Sequence, residues 1–274
     1  MADYLYHLRT RYWNEVKPPR DALPDPGHRL TPISDWIFAE GEGLLAFDRA
    51  GTVRGDPNHG TLVGGPTWVA GDKGGAALEF DGGDDIVQLA SPPVTDYPLT
   101  LSAWIVPVAD TWALSICDAS STKRYWAIRG QVGTGFQYNF RFDNDSGLQF
   151  AITAGTPVAG TLYHIVGLSR ASDDHELYVN GVSLGTKSTS APAVGIDRAA
   201  IGALWREGVV YGTGRVEAAS IYNVALTADD IAQLFSEPYA YYPRPRRFWY
   251  TSTAAVGVYP IIGGDHVIQG VEIG

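Results

Sequence analysis

The chain has 274 residues and a formal net charge of -10. A chain of this length forms either one large all-β domain with additional segments or two small domains. An acidic chain lacks the excess of Lys and Arg that binds phosphates, so we exclude nucleic acid as a partner. Its 32 glycines, 17 prolines and 12% aromatic residues favour short strands joined by many turns.

Residues 1–33 are predicted to form an extended N-terminal arm. An aromatic stretch, "YLYHLRTRYW", precedes "KPPRDALPDPGHRLTP", whose prolines interrupt any continuous helix or central strand. The arm has no apolar run of the signal-peptide kind, and no run in the chain reaches the roughly 18 apolar residues of a membrane span. We therefore expect no signal peptide and no membrane partner.

Residues 34–237 are predicted to form an antiparallel β-sandwich. Short runs alternate apolar and polar residues and are separated by Gly, Asn, Asp and Pro. A single helix is predicted at 227–236, with Thr227 as its N-cap and Asp230 at its third position. Strands are predicted near 34–38, 77–81, 84–89, 99–107, 112–117, 124–130, 136–142, 147–153, 161–169, 174–180, 199–203 and 214–222.

Two turns combine glycine with polar residues. Asn180-Gly181 in "ELYVNGVSLG" predicts a type I′ hairpin turn, in which both central residues need a positive φ. In "FDGGDDIV", Asp81, Asp84 and Asp85 can accept hydrogen bonds from backbone amides while the glycines adopt the unusual dihedral angles. This mechanism favours a structural turn over a ligand site in both places.

Residues 238–274 are predicted to be an assembly segment outside the sandwich. The stretch "PYAYYPRPRRFWY" is rich in the residue types found at interface hot spots, and two strand-like runs follow it. Unpaired strand edges favour pairing with another chain, so we expect a homo-oligomer, a trimer first and a dimer second. The predicted assembly residues are Tyr239, Tyr241, Tyr242, Arg244, Phe248, Trp249 and Tyr250.

Four segments in order resemble the LamG-like jelly roll of the concanavalin A-like lectin and glucanase superfamily. They are "WIFAEGEGLLAFDRAG…NHGTLVGGPTWVAG", "GGAALEFDGGDDIVQL…LTLSAWI", "TLYHIVGLSRASDDHELYVNGVSLGT" and "AAIGAL…GRVEAASIYNVALTADDIAQLF". Together they cover about residues 34–237. The resemblance implies an all-β jelly-roll sandwich of two antiparallel sheets.

The resemblance also raises a calcium site. Modules of this kind often bind Ca²⁺ at a rim loop that corresponds here to "FDRAGTVRGDPNHGT", where Asp48, Asp56 and Asn58 offer hard oxygens. Further along, where relatives often carry an acidic pair, this chain has Glu217 followed by Ala218. One possible ligand is therefore missing, which favours a loop without metal over the calcium site. We expect no other cofactor.

Catalysis and glycan binding are the two activities that the superfamily suggests. Its β-glucan-cleaving members carry a Glu-x-Asp-x-Glu run, which is absent here, so we expect no catalytic residues and no enzyme. Trp112, Trp126 and Trp205 lie near predicted loop ends and are the candidate glycan platforms. Packing in the core or at its rim is the favoured explanation for each tryptophan.

Two functional hypotheses follow from these observations. The first is a non-enzymatic bacteriophage virion protein, a capsid decoration or tail-associated protein bound to other virion proteins such as a major capsid protein, whose LamG-like domain meets host-surface glycans. Its arms and the lack of a signal peptide favour assembly in the host cytoplasm. The second is a free carbohydrate-binding module or a glycan-active enzyme of the superfamily.

Overall fold

The computed structural model describes residues 17–18, 22–142, 150–190 and 193–243. Within these ranges, two short helices accompany the strands: α1 is Arg49–Arg54 and α2 is Ala228–Ser236. Both are too short to cross a lipid bilayer. The strands are β1 Ser34–Trp36, β2 Leu45–Ala46, β3 Gly60–Val63, β4 Thr67–Ala70, β5 Ala76–Asp81, β6 Ile86–Leu89, β7 Leu99–Pro107, β8 Asp110–Cys117, β9 Arg124–Gln131, β10 Gly135–Phe142, β11 Phe150–Ala154, β12 Tyr163–Ala171, β13 Asp174–Val179, β14 Val182–Lys187, β15 Arg198–Ile201, β16 Ala203–Leu204, β17 Val210–Tyr211 and β18 Thr213–Tyr222.

The strands form two large antiparallel sheets. Sheet A has the order β14-β13-β12-β7-β18-β5-β4, and β1 also pairs with β18. Sheet B has the order β11-β10-β9-β8-β15-β6-β3-β2, and β16 pairs with β17 in a separate small hairpin. The inner faces of both sheets supply one hydrophobic core, which includes Trp36, Phe80, Ile105 and Tyr138. The predicted all-β jelly-roll sandwich is confirmed.

Local sequence signals account for the hairpin and the C-terminal helix. Asn180 and Gly181 have φ angles of 49° and 79°, as the type I′ prediction requires, and they connect β13 to β14. Thr227 caps α2 and forms a capping box with Asp230, because each side chain accepts a hydrogen bond from the other residue's backbone N–H. Both predictions are confirmed.

The sequence prediction missed α1 and several short strands. We expected helix only at 227–236, but the rim segment folds into the six-residue helix Arg49–Arg54. Asp48 is its N-cap and accepts a hydrogen bond from Gly51 N–H, and Gly55 ends it in the left-handed conformation with φ 81°. The missed strands, β2, β3, β4, β14, β16 and β17, have two to six residues each.

The outer face of sheet A is covered by α2 and by parts of both predicted arms. Leu30 from the N-terminal arm and Ile231 from α2 pack in a second hydrophobic cluster together with Trp104 of β7. Tyr239, Tyr241 and Tyr242 belong to the same cluster and are each no more than 4% exposed. Their prediction as exposed assembly residues is therefore wrong. The compact unit runs to Pro243, six residues beyond the predicted boundary.

A buried carboxylate holds the two ends of this cover together. Asp35 is fully buried and accepts hydrogen bonds from Ser220 (2.7 Å), Tyr241 (3.1 Å) and Tyr242 (2.6 Å). The backbone N–H of Asp25 also donates to the carbonyl of Tyr241 at 2.7 Å. Burial raises the pKa of Asp35 to about 6, although the three hydroxyl groups oppose this rise. Residues 238–243 are thus fixed by polar contacts as well as by ring packing.

We expect Asp35 to make the protein less stable at pH 7 than at pH 4. The folded chain keeps this proton up to about pH 6, whereas the unfolded chain releases it near pH 3.8. The folded state binds more protons in this window, so the free energy of unfolding falls as pH rises through it, by about 3 kcal/mol. Denaturant unfolding at several pH values should show this fall in the wild type and a flatter profile in Asp35→Asn. Exposed Asp229 supplies the control Asp229→Asn, and equal slopes in all three proteins would contradict the assignment.

Candidate functional site

Side-chain alternation along β8 and β9 decides which predicted tryptophan can meet a ligand. Trp126 points into the core between the sheets and is 0% exposed, so its prediction as a glycan platform is wrong. Trp112 lies on the outer face of sheet B but is 5% exposed, because Leu204 and Val210 of the β16–β17 hairpin pack over it. Trp112 is therefore also unavailable for stacking on a sugar. Trp205 alone remains partly exposed.

The β16–β17 hairpin holds Trp205 on the outer face of sheet B. The Ser115 hydroxyl of β8 donates to the Ala203 carbonyl at 2.7 Å and lies 3.4 Å from the Trp205 backbone N–H. Gly202 begins the hairpin with φ 83°, and a Cβ there would lie 2.0 Å from the Phe80 ring. Only glycine lets the chain leave β15 at this point. The hairpin is thus fixed at its base and open at its tip.

We name the partly exposed part of this hairpin, with its neighbour on β15, the Trp205 surface. The rings of Trp205 and Tyr211 and the side chain of Val209 pack against a buried apolar base. That base consists of Ile86, Ala200 and Ala203. Arg198 places its guanidinium carbon 4.8 Å from the Trp205 ring centroid. The Trp205 surface consists of Arg198, Trp205, Arg206, Val209 and Tyr211, all of intermediate exposure.

Both arginines of the Trp205 surface lie near one buried thiol. Arg198 pairs with Cys117 across the β15–β8 ladder. Burial raises the pKa of Cys117 to about 12, and the positive charges of Arg206 and Arg198 oppose this rise only in part. Cys117 is therefore a neutral buried side chain beneath the surface, and it acts as packing rather than as a nucleophile.

Trp112, near the start of β8, also takes part in a set of charge-assisted contacts. The Arg129 guanidinium lies 4.5 Å from the Trp112 ring centroid and donates to both oxygens of Asp110, at 3.1 and 2.8 Å, and to Gln137 at 2.9 Å. Burial raises the pKa of Asp110, while the Arg129 charge lowers it. Because Asp110, Arg129 and Gln137 lie on β8, β9 and β10, these contacts connect the three neighbouring strands.

The predicted calcium ligands are used in the protein's own structure. The Asp48 carboxylate is fully buried and accepts hydrogen bonds from the backbone N–H groups of Asp35, Gly51 and Asn58, at 2.9, 2.9 and 3.1 Å. The Asn58 side chain makes two hydrogen bonds to the backbone of Ser91. Asp56 is exposed. These hydrogen bonds give Asp48 and Asn58 structural roles and favour the loop without metal over the calcium site, as the sequence did; the calcium site stays an untested alternative.

The acidic turn after β5 is also explained by its own hydrogen bonds. Asp81, Asp84 and Asp85 place carboxylate oxygens within 4.8 Å of one another. Asp81 accepts from Gly83 N–H at 2.7 Å, and Asp85 accepts from Asp81 N–H at 2.9 Å. The first of these contacts is that of an Asx turn, and the second closes the turn. Burial raises the pKa of Asp85, and the turn is structural, as the sequence predicted.

Glu217, at the position where a further calcium ligand was considered, anchors another turn. Its fully buried carboxylate accepts from Asp72 N–H at 2.9 Å and lies 2.9 Å from Arg215 and 3.5 Å from Lys17. Burial lowers the pKa of Lys17 to about 8, against the opposing effect of Glu217. The ion pair joins the described part of the N-terminal arm to sheet A.

Trp205 was predicted from the sequence as a glycan-binding residue, whereas the other four members of the Trp205 surface were not. A usable signal was present in "ALWREGVVYG", where Gly208 with φ 65° turns a run of alternating apolar residues back on itself. Recognition of that hairpin would have placed Val209 and Tyr211 beside Trp205. The contribution of Arg198 depends on the β15–β8 pairing, which no local pattern reveals.

We expect Asp48→Ala to lower the free energy of unfolding by about 3 kcal/mol or more, because three buried N–H groups lose their acceptor. Thermal and denaturant unfolding should show the same loss of stability in excess EDTA and in about 1 mM Ca²⁺, a concentration at which extracellular calcium sites are occupied. Asp56→Ala, at an exposed position, is the control and should change stability by less than about 0.5 kcal/mol. A rise in wild-type melting temperature with calcium that Asp48→Ala abolishes would restore the calcium hypothesis.

Comparison with solved structures identifies proteins of the same architecture. Domain 4 of the extracellular GH43 arabinanase AbnA from Geobacillus stearothermophilus, solved in complex with arabinotriose, has 16% identity and a TM-score of 0.57, covering 74% of this chain and 98% of that domain. Trypanosoma rangeli sialidase, solved with the inhibitor DANA, has 15% identity and a TM-score of 0.56, covering 74% of this chain and 32% of the sialidase. At these identities the likeness concerns the fold.

No curated protein sequence matches the chain. The family model Laminin_G_3, described as the concanavalin A-like lectin/glucanases superfamily, matches residues 81–232. That range begins at the acidic turn after β5 and ends within α2, so it contains most of both sheets and the whole Trp205 surface. It also exceeds half of the 274 residues. The chain therefore belongs to the concanavalin A-like lectin/glucanases superfamily.

Proposed function

We propose that the chain is a non-enzymatic carbohydrate-binding protein that holds a glycan at the Trp205 surface. The observation that carries the proposal is the pair of half-buried rings, Trp205 and Tyr211, on a hairpin fixed by Ser115 and Gly202. Sugars bind aromatic rings through their apolar C–H faces, and neighbouring polar groups then fix their orientation. Arg198 and Arg206 supply such donors.

The position of the surface supports this assignment. The outer face of sheet A is occupied by α2 and residues 238–243, whereas the β16–β17 hairpin on sheet B leaves its tip open. The fold supports the proposal more generally, since the arabinanase domain of the same architecture was solved with arabinotriose. We extend only the class of ligand, a carbohydrate, to this chain.

The absence of catalysis is part of the proposal. Hydrolysis of a glycosidic bond normally needs two carboxyl groups, about 5 to 9.5 Å apart, that are free to act on the sugar. On sheet B, Asp110 is held by Arg129. Asp118 is held by Arg124 and Ser120. The hydrogen bonds and the Arg124 charge keep the pKa of Asp118 below its usual value despite burial, which suits an ion pair and not a general acid.

Glycan binding by the full-length chain can be tested on an array of neutral and acidic oligosaccharides that includes arabinotriose. We expect Trp205→Ala to weaken binding about five-fold or more, since stacking on a ring contributes on the order of 1 kcal/mol. Trp205→Phe should lose less. Mass spectrometry of the bound sugars should return them uncleaved.

Phe235 of α2 offers a matched control, because it is 37% exposed and lies on the other sheet. Phe235→Ala should keep wild-type binding. Equal binding by Trp205→Ala and wild type would place the sugar elsewhere, and cleavage of any array sugar would overturn the non-enzymatic assignment.

We further propose that the domain is carried on a bacteriophage particle, as a capsid decoration or tail-associated protein, and meets host-surface glycans there. The support lies in the chain beyond the compact unit that ends at Pro243. Four predicted assembly residues, Arg244, Phe248, Trp249 and Tyr250, lie outside the described residues. Their residue types are those enriched at protein interfaces. In this proposal the partners are other copies of the chain and virion proteins such as a major capsid protein.

Two truncations separate assembly from folding. A chain that ends at Pro243 should unfold as cooperatively as the full chain and sediment as a monomer, whereas the full chain should sediment as a trimer or a dimer. A chain that ends at Glu237 lacks the buried tyrosines and should be less stable by several kcal/mol. A monomeric full-length chain, or antibodies against it that fail to label purified particles, would contradict the assembly proposal.

A further inference from the structure

We infer that the Trp205 surface selects sugars that carry a carboxylate, such as uronic or sialic acids, over neutral sugars. The inference rests on the proposed glycan binding and adds the class of ligand. Its basis is a difference in ion pairing between the arginines of β9 and the arginines of the Trp205 surface.

Two arginines of β9 in sheet B are neutralised by partners. Arg129 donates to both oxygens of Asp110, and Arg124 lies 3.0 Å from the Asp118 carboxylate. A guanidinium group in such a pair is largely occupied and offers little to a ligand.

The two arginines of the Trp205 surface differ from them. Within the described ranges, neither Arg198 nor Arg206 has a carboxylate at ion-pair distance: Arg198 contacts the Trp205 ring, and Arg206 donates to the Glu207 carbonyl at 3.1 Å. The acidic neighbours in sequence are Asp197, which accepts from Ala119 N–H at 2.7 Å, and exposed Glu207. Two uncompensated positive charges therefore lie beside a half-buried tryptophan on a chain of net charge -10.

The geometry suits a planar anion. A guanidinium group that stacks on an indole keeps its N–H groups in its own plane, where they can donate in a fork to the two oxygens of a carboxylate. Contact with the ring already restricts the rotamers of the arginine side chain, so less conformational entropy is lost when the ligand binds. A sugar acid combines this anion with the apolar ring face that Trp205 and Tyr211 can contact.

Calorimetric titration of the full-length chain tests the inference with matched pairs of probes. Trigalacturonic acid is compared with its methyl ester, and sialyllactose with its own carboxyl methyl ester, so that each pair differs mainly in the charge of the carboxylate and the two pairs distinguish uronic from sialic acid. We expect the acid of at least one pair to bind ten-fold or more tightly than its neutral partner, with a preference that weakens at high salt.

Variants assign the preference to residues. Arg198→Gln should abolish it, Arg198→Lys should retain part of it because lysine keeps the charge but not the fork, and Arg206→Gln should reduce it. Arg54→Gln, an exposed arginine on α1, is the control and should behave as wild type. The melting temperature of each variant shows that it is folded.

The outcomes separate the inference from the proposed function. Equal binding of acid and neutral probes, lost in Trp205→Ala, would overturn the carboxylate inference and leave glycan binding in place. A preference that persists in both Arg198→Gln and Arg206→Gln would also overturn it. No binding of any sugar, on the probes or on the array, by a folded chain would overturn the proposed function itself.

Discussion

The two-residue period of the strands is the constraint on which both the core and the candidate site depend. Neighbouring residues of β9 must serve opposite faces, so Trp126 fills the space between the sheets while Tyr125 joins the outer cluster. The same rule on β8 sends Leu114 and Ile116 inward and leaves Ser115 and Cys117 outside. The residues of sheet B that point away from the core therefore form the base on which the β16–β17 hairpin and its Trp205 surface pack.

The cover of sheet A explains why the proposed ligand surface lies on sheet B. Tyr241 and Tyr242 place their hydroxyl groups on Asp35, a residue more than 200 positions earlier in the chain. Removing a carboxylate from water is costly, and several hydroxyl donors offset that cost only while the segment stays docked. The seven residues that follow α2, up to Pro243, thus belong to the compact unit.

Sequence reasoning succeeded where the physical cause is local. The Asn180-Gly181 turn and the Thr227–Asp230 box each depend on residues within a few positions, and alternation identified most long strands. It failed where the cause is distant. Burial of Trp112 depends on a hairpin about 90 residues later that crosses over it, and the role of Asp48 depends on N–H groups from β1 and from the loop before β3. Burial of an aromatic or acidic side chain is a tertiary property that a local pattern cannot specify.

Distance decides how an acidic chain can bind an acidic ligand. At physiological salt the screening length is about 8 Å, so most of the chain's negative charges act only weakly at the Trp205 surface. A guanidinium in direct contact acts at about 3 to 4 Å, where the attraction of unit charges near a protein surface is about 4 kcal/mol before desolvation is counted. Two uncompensated arginines can therefore outweigh the net charge of -10 at this one place. Under this inference, short-range contacts with Arg198 and Arg206, and not the net charge, decide where an acidic ligand binds.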